Sequence, residues 1–221
     1  MTEHSWLSLV RSQRAIAVIR APNFDLGIQM ARAIAASGMK LIEITWNSEQ
    51  AAKLVYQLRA ELPDCSIGAG TLLTSDQVKE AIGVGSQFLF TPHTNPTIIQ
   101  AAVGQKVPIV PGALSPTEIV AAWQAGASAV KVFPIQSVGG AAYIRHLQAP
   151  LGQIPFIPTG GVTVENAKEF IEAGAIAVGL SGQLFPKGAI VNGDWAMITQ
   201  RAKELMGRMK DETASNYRLT D

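Results

Sequence analysis

The segment GASAVKVFPI, residues 126–135, places one lysine in the middle of an apolar run. As a strand it turns Val130 and Val132 to one face and Ala129, Lys131 and Phe133 to the other, because successive side chains alternate. An ammonium group on the inner face of a sheet is costly: lysine is rarely buried without a partner, and desolvation favours its neutral form. In one reading Lys131 lies near the strand end and extends its stem so that the amine reaches water. In the other it is a chemical group of a site that the rest of the chain must supply.

Working outward, the same kind of run recurs. AIAVIR (15–20), KLIEIT (40–45), SIGAGT (66–71), QFLFTP (87–92), VPIVPG (107–112), SAVKVFP (128–134), PFIPTG (155–160) and AIAVGL (175–180) make eight, with their last residues about 20 to 26 apart. That spacing holds one strand, one helix and two short loops per unit. Helix starts are marked by Asn23, Ser48, Ser75, Thr94 or Asn95 before Pro96, Ser115 before Pro116, and Thr163 ahead of Glu165. Glycines close several helices just before the next strand, as in AASGMKLIEI and IEAGAIAVGL. Apolar strands separated by helices call for a parallel sheet covered on its faces, and eight units favour a closed (β/α)8 TIM barrel over an open doubly wound sheet. The expected layout is one α/β barrel over residues 1–206, with an extra N-terminal helix at 4–13 and a last helix at 194–206 opened by Asp194. Residues 207–221 read as a polar tail.

Composition narrows the partners. Among 221 residues, 48% are hydrophobic, and eighteen basic against seventeen acidic residues leave a net charge of +1, so there is no basic footprint for nucleic acid. The single cysteine, Cys65, allows neither an internal disulfide nor a thiolate metal cluster. No run reaches about 18 apolar residues and the N-terminus has no apolar signal region, so a soluble cytoplasmic protein acting on a small molecule, without membrane or nucleic-acid partners, is expected.

In a barrel of this type the chemistry lies where the strands run out. The polar residues there are Arg20, Glu43, Thr45, Thr71, Thr91, Lys131, Thr159 and Ser181. Glu43 repeats the puzzle of Lys131, because Leu41, Glu43 and Thr45 take the inner face while Ile42 and Ile44 take the outer. The two charges either form a buried structural ion pair or act together: a lysine held neutral is a nucleophile, and a nearby carboxylate moves the protons that imine chemistry requires. The turn Thr159-Gly160-Gly161 ahead of a helix lets backbone amides meet an anion, which makes it a phosphate seat. Arg20 is either a surface residue or a clamp for a carboxylate or phosphate. His4, His93 and His146 lack metal-ligand spacing, no Walker sequence is present, and no GxGxxG follows the first strand, so metal and nucleotide chemistry lack motifs.

Taken together, GMKLIEIT, IGAGT, FLFTPH, PIVPGALSPTE, AVKVFP and PTGGV resemble the KDPG/KHG aldolase family over nearly the whole chain. That resemblance implies a homotrimer of TIM barrels in carbohydrate metabolism, forming a lysine Schiff base and using no metal or cofactor. Its substrates are 2-keto-3-deoxy-6-phosphogluconate, the 6-phosphogalactonate epimer or 4-hydroxy-2-oxoglutarate, cleaved to pyruvate and a short aldehyde. Lys131 resembles the imine-forming lysine and Glu43 the proton-transferring glutamate. Thr71 and Thr159 resemble the pyruvyl-site threonines, and Gly160 and Gly161 the phosphate-binding amides. Pro92, Phe133, Ser181 and Gly182 complete the expected lining. Asn47, where many phosphogluconate aldolases carry arginine, resembles the phosphogalactonate branch, which also ends its first strand with an arginine as Arg20 does here. Ser181-Gly182 reverses the usual Gly-Ser pair. The rival readings are a non-catalytic phosphate-binding barrel and a non-aldol enzyme acting on a phosphorylated sugar.

Overall fold

The structure is a computed structural model and describes residues 2–210. Helix α1 (Glu3–Gln13) leads into β1 (Ala15–Ile19), followed by α2 (Phe24–Ala36), β2 (Leu41–Thr45), α3 (Ala51–Glu61), β3 (Ser66–Gly70), α4 (Ser75–Gly83), β4 (Leu89–Phe90) and α5 (Pro96–Gly104). The second half runs β5 (Ile109–Val110), β6 (Gly112–Ala113), α6 (Pro116–Gln124), β7 (Val130–Val132), α7 (Ala141–Leu151), β8 (Phe156–Pro158), α8 (Ala167–Glu172), β9 (Val178–Leu180), α9 (Lys187–Asn192) and α10 (Trp195–Lys210). Every strand pair is parallel. One sheet has the order β5-β4-β3-β2-β1-β9 and the other β6-β7-β8, so the fold is an α/β architecture with a curled parallel sheet.

Each of the eight apolar runs contains a strand, and the fifth holds β5 and the first residue of β6. Pro111 separates β5 from β6 because it has no N–H to continue a ladder. Its carbonyl still accepts from the Lys131 N–H at 2.9 Å, so the chain crosses from one sheet to the other at this residue. At the opposite seam a single parallel bridge joins Thr159 to Gly179, and Ile176 N–H donates to the Phe156 carbonyl at 3.0 Å.

Alternation sorts the core into two bodies. Outward residues such as Ile19, Ile42, Ile67, Val130, Val132 and Val178 pack beneath the helices. Inward residues Ile16, Leu41, Phe88, Phe90, Val110, Ala129, Ile157 and Ala177 form a separate cluster that Trp6 and Val10 of α1 close from one end. Trp6 is fully buried, with its ring 5.6 Å from Phe88, which meets Phe90 edge-on at 5.9 Å. Space for Phe88 comes from Gly68 on the neighbouring strand, where a Cβ would run into the ring.

Local capping follows the expected residues at Asn23, Asn95 and Ser115, the last forming a capping box with Glu118. Three expectations are corrected. Thr74, not Ser75, caps α4. Ser48 caps nothing: Gln50 precedes α3 in the left-handed region, and the Ser48 hydroxyl accepts from Ala21 N–H at 2.9 Å instead. Thr163 exchanges hydrogen bonds with Asn166 in a turn that ends before α8 begins at Ala167. Asp194 opens α10 by accepting from Met197 N–H at 3.0 Å, as expected. That helix continues past 206 to Lys210, since Met206 and Met209 are buried and keep its apolar stripe going. The rest of the expected tail, 211–221, lies outside the described residues.

Because Trp6 closes one end of the inward cluster, Trp6→Ala should leave a cavity that neighbouring strands cannot fill. The expected loss is about 3–5 kcal/mol of unfolding free energy, measured by urea denaturation. A loss below about 1 kcal/mol would show that α1 is not part of the core.

Candidate active site

Beyond the apolar cluster, the next inward positions are polar. Lys131 lies between Gly112 of β6 and Ile157 of β8. Gly112 leaves the Pro92 backbone room to approach, which a side chain would block. Lys131 is 6% exposed, and its Nζ lies 4.8 Å from the Phe133 ring centroid and 6.0 Å from that of Phe90. Aromatic faces stabilise a nearby cation, and Lys131 takes part in none of the ion pairs among the described residues.

Glu43 is 1% exposed, and its Oε1 has no hydrogen-bond partner among the described residues. Gly70 on β3 makes that position possible, because a Cβ there would collide with the carboxylate. Burial pushes the Glu43 carboxyl above the ordinary glutamate value, while the charges of Lys131 and then Arg20 pull it back. A carboxyl in this setting exchanges its proton closer to neutrality than a surface glutamate does.

Both groups face a cavity of about 440 Å³. The other expected residues also line it: Arg20, Thr71, Pro92 and Phe133, then Thr159, Gly160, Gly161, Ser181 and Gly182. Thr71 has φ 59°, a left-handed conformation that a β-branched side chain rarely adopts, and such strain is retained where a side chain must be aimed. Gly160 and Gly161 have φ 86° and 96°. Their carbonyls accept from Gln136 N–H and Asn166 Nδ2, while neither glycine N–H donates a bond among the described residues. Two successive positive-φ glycines with free amides present donors that an anion in the cavity can meet.

Sequence reading missed Val18, Val162, Gly179 and Gln183, and did not select Thr45, all of which line the cavity. The period-2 pattern carried the signal for three of them, since Val18 shares a face with Arg20, Thr45 with Glu43, and Gly179 with Ser181. Thr45 also meets the Ser48 hydroxyl at 3.2 Å, so that pair ties the ends of β1 and β2 together. Thr91, a strand-end polar residue, is not part of the lining: its buried hydroxyl donates to the His93 carbonyl at 2.6 Å. His93 faces a neighbouring cavity with Glu118.

A buried amine and a carboxyl of raised proton affinity facing one cavity in a parallel α/β fold, with an anion seat beside them, belong to a carbon–carbon lyase of the aldolase class. More particularly, residues 7–201 match the family model described as KDPG and KHG aldolase, and the chain belongs to that family. It is 33% identical to the 2-dehydro-3-deoxy-phosphogluconate aldolase of Haemophilus influenzae, covering 95% of this chain and 99% of that one. Over 89% of this chain and 92% of the other it is 27% identical to the KHG/KDPG aldolase of Escherichia coli. Among solved structures, KDPG aldolase from Legionella pneumophila, with pyruvate captured at low pH as a covalent carbinolamine intermediate, superposes with a TM-score of 0.84 at 26% identity, covering 90% of this chain and 97% of that one. A structure described as native KDPGal matches with a TM-score of 0.81 at 31% identity, covering 88% and 93%.

Arg20 is one of two charges that hold the Glu43 proton affinity down. Arg20→Ala should therefore lower kcat/KM for keto-acid cleavage and move the acid limb of its pH profile to higher pH. An acid limb that stays in place would show that Glu43 does not set it.

Proposed function

We propose that the protein reversibly cleaves 2-keto-3-deoxy-6-phosphogluconate to pyruvate and glyceraldehyde 3-phosphate through a Schiff base on Lys131. The observation that carries this reading is the burial of Lys131 and Glu43 at one cavity without an ion pair between them. The Lys131 amine adds to the C2 ketone, and loss of water gives a protonated imine, whose charge the Phe133 and Phe90 faces favour. When the C3–C4 bond breaks, its electron pair moves toward the imine nitrogen and leaves an enamine, while Glu43 takes the C4 hydroxyl proton directly or through a water. The aldehyde departs, Glu43 returns a proton to C3, and hydrolysis frees pyruvate. Arg20, Thr71 and Thr159 hold the carboxylate end, while Gly160, Gly161, Ser181 and Gly182 receive the phosphate. Curated relatives named as aldolases of this substrate support the assignment, and the KHG/KDPG relative supports 4-hydroxy-2-oxoglutarate, cleaved to pyruvate and glyoxylate, as a further substrate. Arg20 together with Asn47 supports cleavage of the 6-phosphogalactonate epimer as a second reading.

Several broader features belong to the same reading. The two sheets form one closed (β/α)8 barrel, supported by the Pro111 crossing, the Thr159–Gly179 bridge and the inward cluster drawn from strands in both sheets. The enzyme works as a cytoplasmic homotrimer. Exposed Val103 of α5 and Trp123 of α6 offer apolar surface for assembly, and a protein 31% identical over 88% of this chain is a cage designed by fusing symmetric oligomeric domains. Sedimentation should give three times the chain mass of 23.5 kDa; a monomer at micromolar concentration would overturn this part.

Borohydride added in the presence of pyruvate should fix a pyruvyl adduct visible by intact mass. Lys131→Ala should abolish both adduct and turnover, whereas Glu43→Gln should keep the adduct and lose about 10²- to 10⁴-fold in kcat. An adduct that survives Lys131→Ala would refute the assignment.

A further inference from the structure

We propose that a second cavity receives the tails of aldehydes longer than a phosphorylated triose, so that the enzyme also joins pyruvate to acceptors whose apolar spacer ends in an anion. This rests on the aldolase reading above. The second cavity measures about 760 Å³ against about 440 Å³ for the first, and the two share the walls made by Arg20, Ser181 and Gly182. These shared residues set the second cavity directly beside the first, which is where an acceptor too long for the first would extend.

The chemistry of the lining selects the tail. Met30 of α2 and Phe185 are buried, and with Ile190 of α9 they give the cavity an apolar floor. A three-carbon acceptor held by its phosphate has nothing to place on that floor, whereas a longer alkyl spacer would cover it. Lys187, also on α9, is an exposed part of the lining and takes part in none of the ion pairs among the described residues. The one carboxylate in the lining, Glu49, accepts from Gln50 Nε2 at 3.3 Å. With Arg20 given to the keto-acid carboxylate, Lys187 is the remaining cation of the lining and offers a terminal carboxylate or phosphate its partner.

The bond-forming step is the cleavage reaction run backwards. C3 of the pyruvyl enamine attacks the aldehyde carbon, the new C3–C4 bond forms, and the aldehyde oxygen takes a proton from Glu43. Water then hydrolyses the imine to release a 4-hydroxy-2-oxo acid, with nothing oxidised or reduced.

The test uses the full chain with pyruvate and straight-chain ω-carboxy aldehydes of increasing length, beside ω-trimethylammonio aldehydes of matched length and glyceraldehyde 3-phosphate as reference. For the carboxy series, kcat/KM should rise to a maximum at an intermediate spacer. Lys187→Glu should lower that maximum about five- to tenfold, raise the trimethylammonio series, and leave the reference within about twofold, in keeping with the modest worth of exposed charges. Ile190→Trp, which fills the floor, should cut both long series while sparing the reference. Turnover of glyceraldehyde 3-phosphate without turnover of longer acceptors would overturn the proposal alone, as would long-chain rates indifferent to both substitutions. No turnover of any acceptor would overturn the aldolase reading with it.

Discussion

Two opposite charges, Lys131 on β7 of one sheet and Glu43 on β2 of the other, are buried facing one cavity without neutralising each other in an ion pair. Burial of this kind costs several kcal/mol per ion unless surroundings or proton affinity respond. Here the response is visible at Glu43, whose carboxyl rises above its ordinary value even though Lys131 and Arg20 oppose the shift. A direct salt link would have fixed both groups in their charged forms. Without such a link the Lys131 side chain stays turned to the cavity, and the Glu43 carboxyl, its proton affinity raised, is suited to carry a proton in either direction.

Much of the surrounding architecture serves that separation. Small residues stand beside the reactive ones: Gly70 leaves space for the Glu43 carboxylate, and Gly112 borders Lys131. Below them, aromatic and aliphatic side chains form the inward cluster that Trp6 closes, and the charged layer faces the cavity lined by the strand-end residues. Pro111 changes sheets beside the lysine, and its carbonyl fixes the Lys131 backbone. The anion seat follows β8, where Gly160 and Gly161 adopt backbone angles that other residues would strain to reach.

What could be read in the sequence was whatever depended on a short period. Alternation along KLIEIT and SAVKVFP put Glu43 and Lys131 on inner faces, and the spacing of apolar runs located eight of the nine strands, all but β6, which Pro111 splits from β5. Features set by contacts distant in sequence were not legible. Ser48 has the residue type and position of a helix cap, yet its hydroxyl serves the Ala21 amide, twenty-seven residues away. Thr91 looked like a site residue, but its partner is the His93 carbonyl in its own loop. The last helix outran its expected end because Met206 and Met209 found a buried surface that the polar residues around them conceal. That Arg20 borders two cavities depends on α9, which no local pattern connects to β1.

The most direct test is a crystal soaked with pyruvate near neutral pH. Continuous density should run from Lys131 Nζ to C2 of the ligand, with the Glu43 carboxyl within hydrogen-bonding reach of the methyl side or of a water next to it. A lysine locked in a salt link with Glu43, with pyruvate absent or bound elsewhere, would contradict the account.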